Sequence, residues 1–250
     1  MSCRVEIMGC SIDNLSMEET LLKIESFIRS GEPHQHGVVN VDKVVKASRD
    51  PELRRIINQC ALVSADGMPV VWASRLLGKS LKERVAGVDL FEALVRRSAV
   101  KGWRVFFLGG REEVVRAVVG HYGRMLPRLQ VAGYRNGYWK PEEESGVVQL
   151  IADSRPHLLF VAISSPQKEW FLGRHQARMQ IPFAMGVGGT FDVVAGEVKR
   201  APVWMQKCSL EWFYRFLQEP KRMFRRYFID DMFFFWLLLK ELSRKPKRAA

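Results

Sequence analysis

Two charged residues in this chain sit where a proton-transfer or phosphate-handling step would need them. Asp66 closes the apolar run of "ALVSADG", and Arg84 lies in the polar turn of "LKERVAGVDL". A carboxylate at the end of a strand is where a general base belongs in an α/β architecture. An Asp-Gly pair is equally a turn whose carboxylate caps the following helix. Arg84 and its neighbour Glu83 have a plainer reading as solvated charges, and Asn40 and Asp42, which end the preceding apolar run, have one as helix caps.

The glycine-rich loops offer the second kind of chemistry. "FFLGGREE" brings Gly109 and Gly110 to the junction of a strand and a helix, where backbone N–H groups can approach a diphosphate at the positive end of the helix dipole. A tight turn explains the same pair. "GVGGTFDVVAGEVKRAP", Gly186 to Pro202, is too rich in glycine for a helix and too interrupted for one strand. Gly186, Gly188 and Gly189 allow a sharp turn that brings Thr190 and backbone amides to a nucleotide or its sugar, with Asp192 capping the next turn. The alternative is a bare structural crossing. Gln167 and Lys168, in "SSPQKEW", fall in a comparable loop.

No metal or other cofactor is expected. His34, His36, His121, His157 and His175 have no ligand spacing, there is no Asp-x-Asp, and the four cysteines, Cys3, Cys10, Cys60 and Cys208, form no paired motif. A diphosphate would then be neutralised by Arg, Lys or backbone dipoles. An NAD-dependent oxidoreductase is the competing enzyme class. The incomplete glycine fingerprint and the missing acid at the end of the next strand argue against it.

These residues must be held by the elements around them. Short apolar runs ("HGVVNV", "ALVSADG", "WRVFFLGG", "LQVAGYR", "HLLFVAISSP", "IPFAMGVGG") alternate with amphipathic helical stretches, with Pro51 placed to open a second helix after "DKVVKASRD". The expected fold class is α/β: a Rossmann-like, mostly parallel sheet flanked by helices. Ligands in such sheets sit beyond the carboxyl ends of the strands, which is where every loop named above lies.

The 250 residues, 47% hydrophobic and 26% charged, carry a formal net charge of +12, unevenly spread. From Lys199 onward there are 13 Lys and Arg against 5 Asp and Glu. The expected organisation is an α/β catalytic domain over 1–198 and a basic, aromatic-rich helical appendage over 199–250. "EWFYRFLQEPKRMFRRYF" interleaves rings with cations, a pattern that stacks single-stranded bases, packs as an ordinary helix pair or oligomer contact, or settles at a lipid interface. "MFFFWLLL" is far shorter than the about 20 residues a spanning helix needs. The first residues lack a secretory leader, so a cytoplasmic protein is expected.

Taken together, "VVNVDKVVKASRDPELRRII", "ALVSADGMPVVWASRLLGKSLKERVAGVDL", "VFFLGG", "VAGYRNGYW", "SSPQKEWF" and the long "GVGGTFDVVAGEVKRAPVWMQKCSLEWFYRFLQEPKRMFRRY" resemble the WecG/TagA/CpsF family of bacterial glycosyltransferases, glycosyltransferase family 26. The resemblance covers nearly the whole chain. It implies an enzyme peripheral on the inner face of the cell membrane that moves a sugar from a UDP-sugar to an undecaprenyl-diphosphate-linked acceptor, inverting and without a metal. The product would feed teichoic acid, enterobacterial common antigen, capsule or exopolysaccharide. Its partners would be donor, acceptor and an anionic membrane surface, not nucleic acid, with a homo-oligomer left open.

Carried over by motif, Asp66 matches the catalytic base, Arg84 the arginine of the E-R-x-x-G segment, and Asn40 the asparagine of the T-x-N strand end. Arg215, Arg222, Arg225 and Arg226 fall in the appendage that folds over the site and helps bind diphosphate. A base at an ordinary Asp pKa of about 3.9 is inefficient, so partial burial of Asp66 is expected to raise it. Two departures stand out. Val38 replaces the threonine of T-x-N, and Ser164-Ser165-Pro166-Gln167-Lys168-Glu169 replaces G-x-P-K-Q-E, which bears on the sugars more than on the reaction.

Overall fold

The computed structural model describes residues 4–207, 210–220, 224 and 231–243. Six strands form one parallel sheet in the order β4-β3-β8-β7-β5-β6: β3 (His34–Val39), β4 (Leu62–Ala65), β5 (Arg104–Gly109), β6 (Gln130–Arg135), β7 (Leu158–Ala162) and β8 (Phe183–Gly186). The expected α/β class is what is observed. The strands β4, β7 and β8 are buried along their whole length, as a sheet covered on both faces requires, while the edge strand β6 is partly exposed.

Alternation along β5 shows how the two layers form. Val105 and Phe107 point into a core with α1 (Met17–Ser30), α5 (Gly87–Lys101) and α6 (Glu112–Met125). Phe106 and Leu108 point the other way, towards α7 (Glu144–Asp153) and α8 (Gln167–Met179). On that second face β3 and β4 are covered by α2 (Val41–Arg49) and α3 (Pro51–Gln59). Pro51 opens α3 as expected, and Asp50 caps it through Glu52 N and Leu53 N. At its far side lies α4 (Met68–Leu76).

A hairpin, β1 (Arg4–Ile7) and β2 (Cys10–Asp13), precedes the first strand that the sequence pattern marks. Met8 and Gly9, both at positive φ, make its two-residue turn. Asp13 fastens it to the sheet by accepting from Val63 N at 2.8 Å. Helix α1 follows, closed by a Ser16/Glu19 capping box and by Gly31 in the left-handed region.

The region after Lys199 is helical where described: α10 (Val203–Lys207), α11 (Glu211–Gln218) and α12 (Met232–Ser243), preceded by the short α9 (Thr190–Val194). Helix α12 buries Phe234 and Leu238 in the same core as the hairpin and α2. Glu241 accepts from Met8 N at 2.8 Å and pairs with Lys79 at 3.2 Å. The outward rings Trp204, Trp212, Phe213, Phe224, Phe235 and Trp236 are each at least 40% exposed. Among the described residues no helix is long and apolar enough to cross a membrane.

Candidate active site

Because all six strands run the same way, their carboxyl ends share one edge, and Asn40, Asp66, Gly109–Gly110, Ser164–Lys168 and Gly186–Thr190 all lie at or just beyond those ends. Asp66 is set there by the backbone: its N–H donates to Val39 O at 2.8 Å, and Val85 N donates to Ala65 O at 3.0 Å. The second bond draws the 84–86 segment alongside the end of β4, which is how Arg84 comes to face Asp66.

The carboxylate does not cap α4. The N-cap of that helix is Gly67, which has φ +114 and offers no side-chain bond. Asp66 instead receives the N–H of Gly87, the first residue of α5, so it rests at the positive end of that helix. A Cβ on Gly87 would stand 3.5 Å from Asp66 Oδ2, close contact without collision. Burial pushes the Asp66 carboxyl up to about 6, with Arg84 and Gly87 opposing the rise and Glu211 and Asp89 adding to it. The residue keeps a partly exposed side.

Around it lies a group of ions that local sequence does not announce. Arg84 Nη1 pairs with Glu211 Oε2 at 2.5 Å, across 127 positions of sequence. Burial works against the charge of Arg84, but Glu211, Asp66 and Asp89 together hold its guanidinium more firmly protonated than usual. Arg200 Nη2 pairs with Asp89 Oδ1 at 2.5 Å, and its Nε, buried without a hydrogen-bond partner, faces Glu211 Oε1 at 3.7 Å. Arg200, Asp89 and Glu211 are the residues that sequence reasoning missed. Asp89 follows Arg84 in the same turn and helix start, whereas Arg200 and Glu211 arrive from the far end of the chain.

Other expected residues are placed differently. Asn40 is the N-cap of α2, accepting from Lys43 N at 3.0 Å, and Asp42 pairs with Lys46 at 3.1 Å on the same helix. Gly110 N is spent on Ala162 O, and a Cβ on Gly109 would lie 2.4 Å from that oxygen, so this glycine pair serves the close approach of β5 and β7. The helix start beyond it carries Glu112 and Glu113, and Glu112 is held by Arg116 and Asn136. Acids at that position oppose a diphosphate there, which weakens the dinucleotide reading further.

The glycine-rich stretch from Gly186 is corrected in two respects. It does contain a helix, α9, which begins once Gly188, at φ +54, has turned the chain and Gly189 has served as its N-cap. Thr190 is buried and donates its hydroxyl to Val187 O at 2.7 Å, so it braces this turn rather than offering a hydroxyl to a nucleotide. Asp192 lies within the first turn of α9. Gly186 is bare because the stem of Lys168 crosses it: a Cβ there would meet Lys168 Cε at 2.6 Å.

Lys168 itself is sealed. With Lys43 it shares the Glu169 carboxylate, at 2.5 and 2.6 Å, and Lys43 also donates to Ser165 Oγ. Burial and the nearby Lys168 push the Lys43 ammonium down, while Glu169 works against them. Gln167 accepts from Ser164 Oγ at the exposed start of α8. Arg215 lies on α11, and Arg222, Arg225 and Arg226 lie outside the described residues. Among the described residues no three His, Cys, Asp or Glu side chains are grouped to hold a metal ion.

Comparison with known proteins shows the family. The model of the glycosyl transferase WecG/TagA/CpsF family matches residues 5–248. The chain is 36% identical over 201 residues, 80% of its length and 77% of the relative's, to the N-acetylglucosaminyldiphosphoundecaprenol N-acetyl-beta-D-mannosaminyltransferase of Bacillus spizizenii. A Staphylococcus aureus protein of the same name is 31% identical over 250 residues, covering 99% of this chain and 96% of the relative. With its parallel sheet, its acid at the end of β4 and a family match that runs almost from end to end, this chain belongs to the WecG/TagA/CpsF family of glycosyltransferases.

Proposed function

We propose that the protein transfers a sugar from a UDP-sugar to an undecaprenyl-diphosphate-linked sugar, with inversion and without a metal ion, in the assembly of a cell-surface polysaccharide. The single observation that carries this reading is Asp66: an acid at the mouth of the sheet, raised to about 6, beside Arg84. At neutral pH it is mostly ionised yet basic enough to take a proton efficiently.

In this reading Asp66 accepts the proton of the acceptor hydroxyl as its oxygen attacks the anomeric carbon. The bond from that carbon to the donor's phosphate oxygen breaks, and the electron pair leaves with UDP. Arg84 and Arg200 offset the charge that builds on the departing diphosphate, and a well-placed donor of this kind is worth roughly 3 to 4 kcal/mol. Asn40, Asp42 and Gln167, which follow the ends of β3 and β7, and Arg215 of α11 are proposed to contact the substrates. Arg222, Arg225 and Arg226 are assigned to the lipid-linked diphosphate.

The exposed rings of α10, α11 and α12 support a peripheral position on the inner face of the membrane, where a polyprenyl carrier keeps its diphosphate. Rings enter the interface, and each nearby cation adds about 1 kcal/mol against anionic lipid. The appendage beginning near Lys199 is proposed as this membrane-associating part.

The test is transfer itself. The named relatives are N-acetylmannosaminyltransferases acting on N-acetylglucosaminyldiphosphoundecaprenol, so the first acceptor to test is an undecaprenyl-diphosphate N-acetylglucosamine analogue and the first donor, of the nucleotide class proposed here, is UDP-N-acetylmannosamine. Purified protein with both substrates and EDTA is expected to release UDP and extend the acceptor. Release that depends on an added divalent ion would contradict the metal-free mechanism. No transfer from any UDP-sugar would remove the donor assignment.

A further inference from the structure

We propose that Glu211 is a built-in counter-ion that stands in for the diphosphate and must be displaced when the donor binds. The inference rests on the donor reading given above, and it concerns the same arginines. Glu211, the first residue of α11, holds Arg84 at 2.5 Å and faces the unpartnered Nε of Arg200 at 3.7 Å. One carboxylate therefore spans two guanidiniums, which is the geometry a phosphate oxygen would take up.

The charge count among the described residues favours the displacement. Within this group two arginines face three carboxylates, Asp66, Asp89 and Glu211. With all three ionised the group carries a net negative charge, and an incoming diphosphate would meet repulsion rather than a cradle. Asp66 must stay to act as base, and Asp89 is tied to Arg200 at 2.5 Å. Glu211 is the acid placed to give way because, among the described ion pairs, it is the one that engages both guanidiniums, and its side chain is 29% exposed.

Helix α11 need not leave with it. Its far end is fixed independently by Gln218, which accepts from Lys199 N at 3.2 Å and donates to Lys199 O at 3.0 Å. Glu211 then acts by exchange: with the site empty it engages both guanidiniums, and with the donor bound it yields them and swings outward. Its loss would make anions bind more tightly, the opposite of what losing a binding residue does.

The probes are UDP, inorganic pyrophosphate and uridine, measured by calorimetry on the full chain and on Glu211→Gln, with Gln218→Ala as a control that loosens α11 without changing charge. Glu211→Gln is expected to bind UDP and pyrophosphate about tenfold more tightly, about 1.4 kcal/mol, with uridine unchanged. Gln218→Ala is expected to show no such gain. Equal or weaker anion binding by Glu211→Gln, or the same gain in Gln218→Ala, overturns the inference and leaves the donor reading intact. A gain for pyrophosphate with no binding of UDP to either protein would keep the counter-ion and remove the donor.

Discussion

Lys43, Lys168 and Glu169 meet where α2 and α8 close over the sheet, with side chains only 5%, 10% and 12% exposed. Arg84, Arg200, Asp89 and Glu211 meet beside the end of β4, at 20%, 24%, 40% and 29%. Both groups pair lysines or arginines with acids at 2.5 to 2.6 Å. In the first, water cannot replace a lost partner, so each ion is committed to the fold. In the second it can, so partners are exchangeable at little cost to stability. Accessibility, rather than composition, separates ions that hold the protein together from ions that can trade partners with a substrate.

The sharpest way to break this distinction is at the acid that the open group surrounds. Asp66→Asn should lower turnover by about 10²- to 10⁴-fold, the range of a general base, in the UDP-release assay. Full activity in that variant would remove Asp66 from the chemistry. In the sealed group, Glu169→Ala removes the acid that the buried Lys43 and Lys168 share and should cost about 3 to 5 kcal/mol in urea unfolding. Arg84→Ala, in the open group, should lower kcat by about a hundredfold while shifting the unfolding midpoint far less.

The pH dependence sharpens the comparison further. Asp66 has a folded pKa of about 6, above its unfolded value of 3.8. Below 3.8 both states hold the proton and nothing is lost. Between 3.8 and 6 the unfolded chain gives it up first, so stability falls as pH rises and the penalty, about 2 to 3 kcal/mol, is complete above 6. Asp66→Asn should therefore melt higher than the native chain at pH 8 and lose that advantage by pH 3.5. Wild-type kcat/KM should rise with pH through about 6. Smallest of all, Glu211→Gln should change unfolding stability by no more than about 1 kcal/mol.

The sheet and most of its helices were legible because apolar runs and helical periodicity are local signals, and Pro51 punctuates them where expected. The N-terminal hairpin escaped because its strands are four residues long and its turn, Met8-Gly9, carries only one glycine. Asp66 was legible from its place at a strand end. Its environment was not, since Glu211 and Arg200 reach it across more than a hundred residues of chain. Glycine content misled for a related reason: Gly109 and Gly186 are bare to let a backbone and a lysine stem pass, a demand made by distant neighbours.

The bond between Met8 N and Glu241, with Phe234 and Leu238 seated in the core, has a practical meaning for dissecting this enzyme. A deletion that removes everything after residue 198 takes away a wedge of the interior along with any lipid-facing surface. Inactivity or insolubility in such a fragment would report a torn core as readily as a missing anchor. Replacing the outward rings one at a time, Trp236 and Phe235 first, leaves that wedge in place and isolates the contribution of the surface.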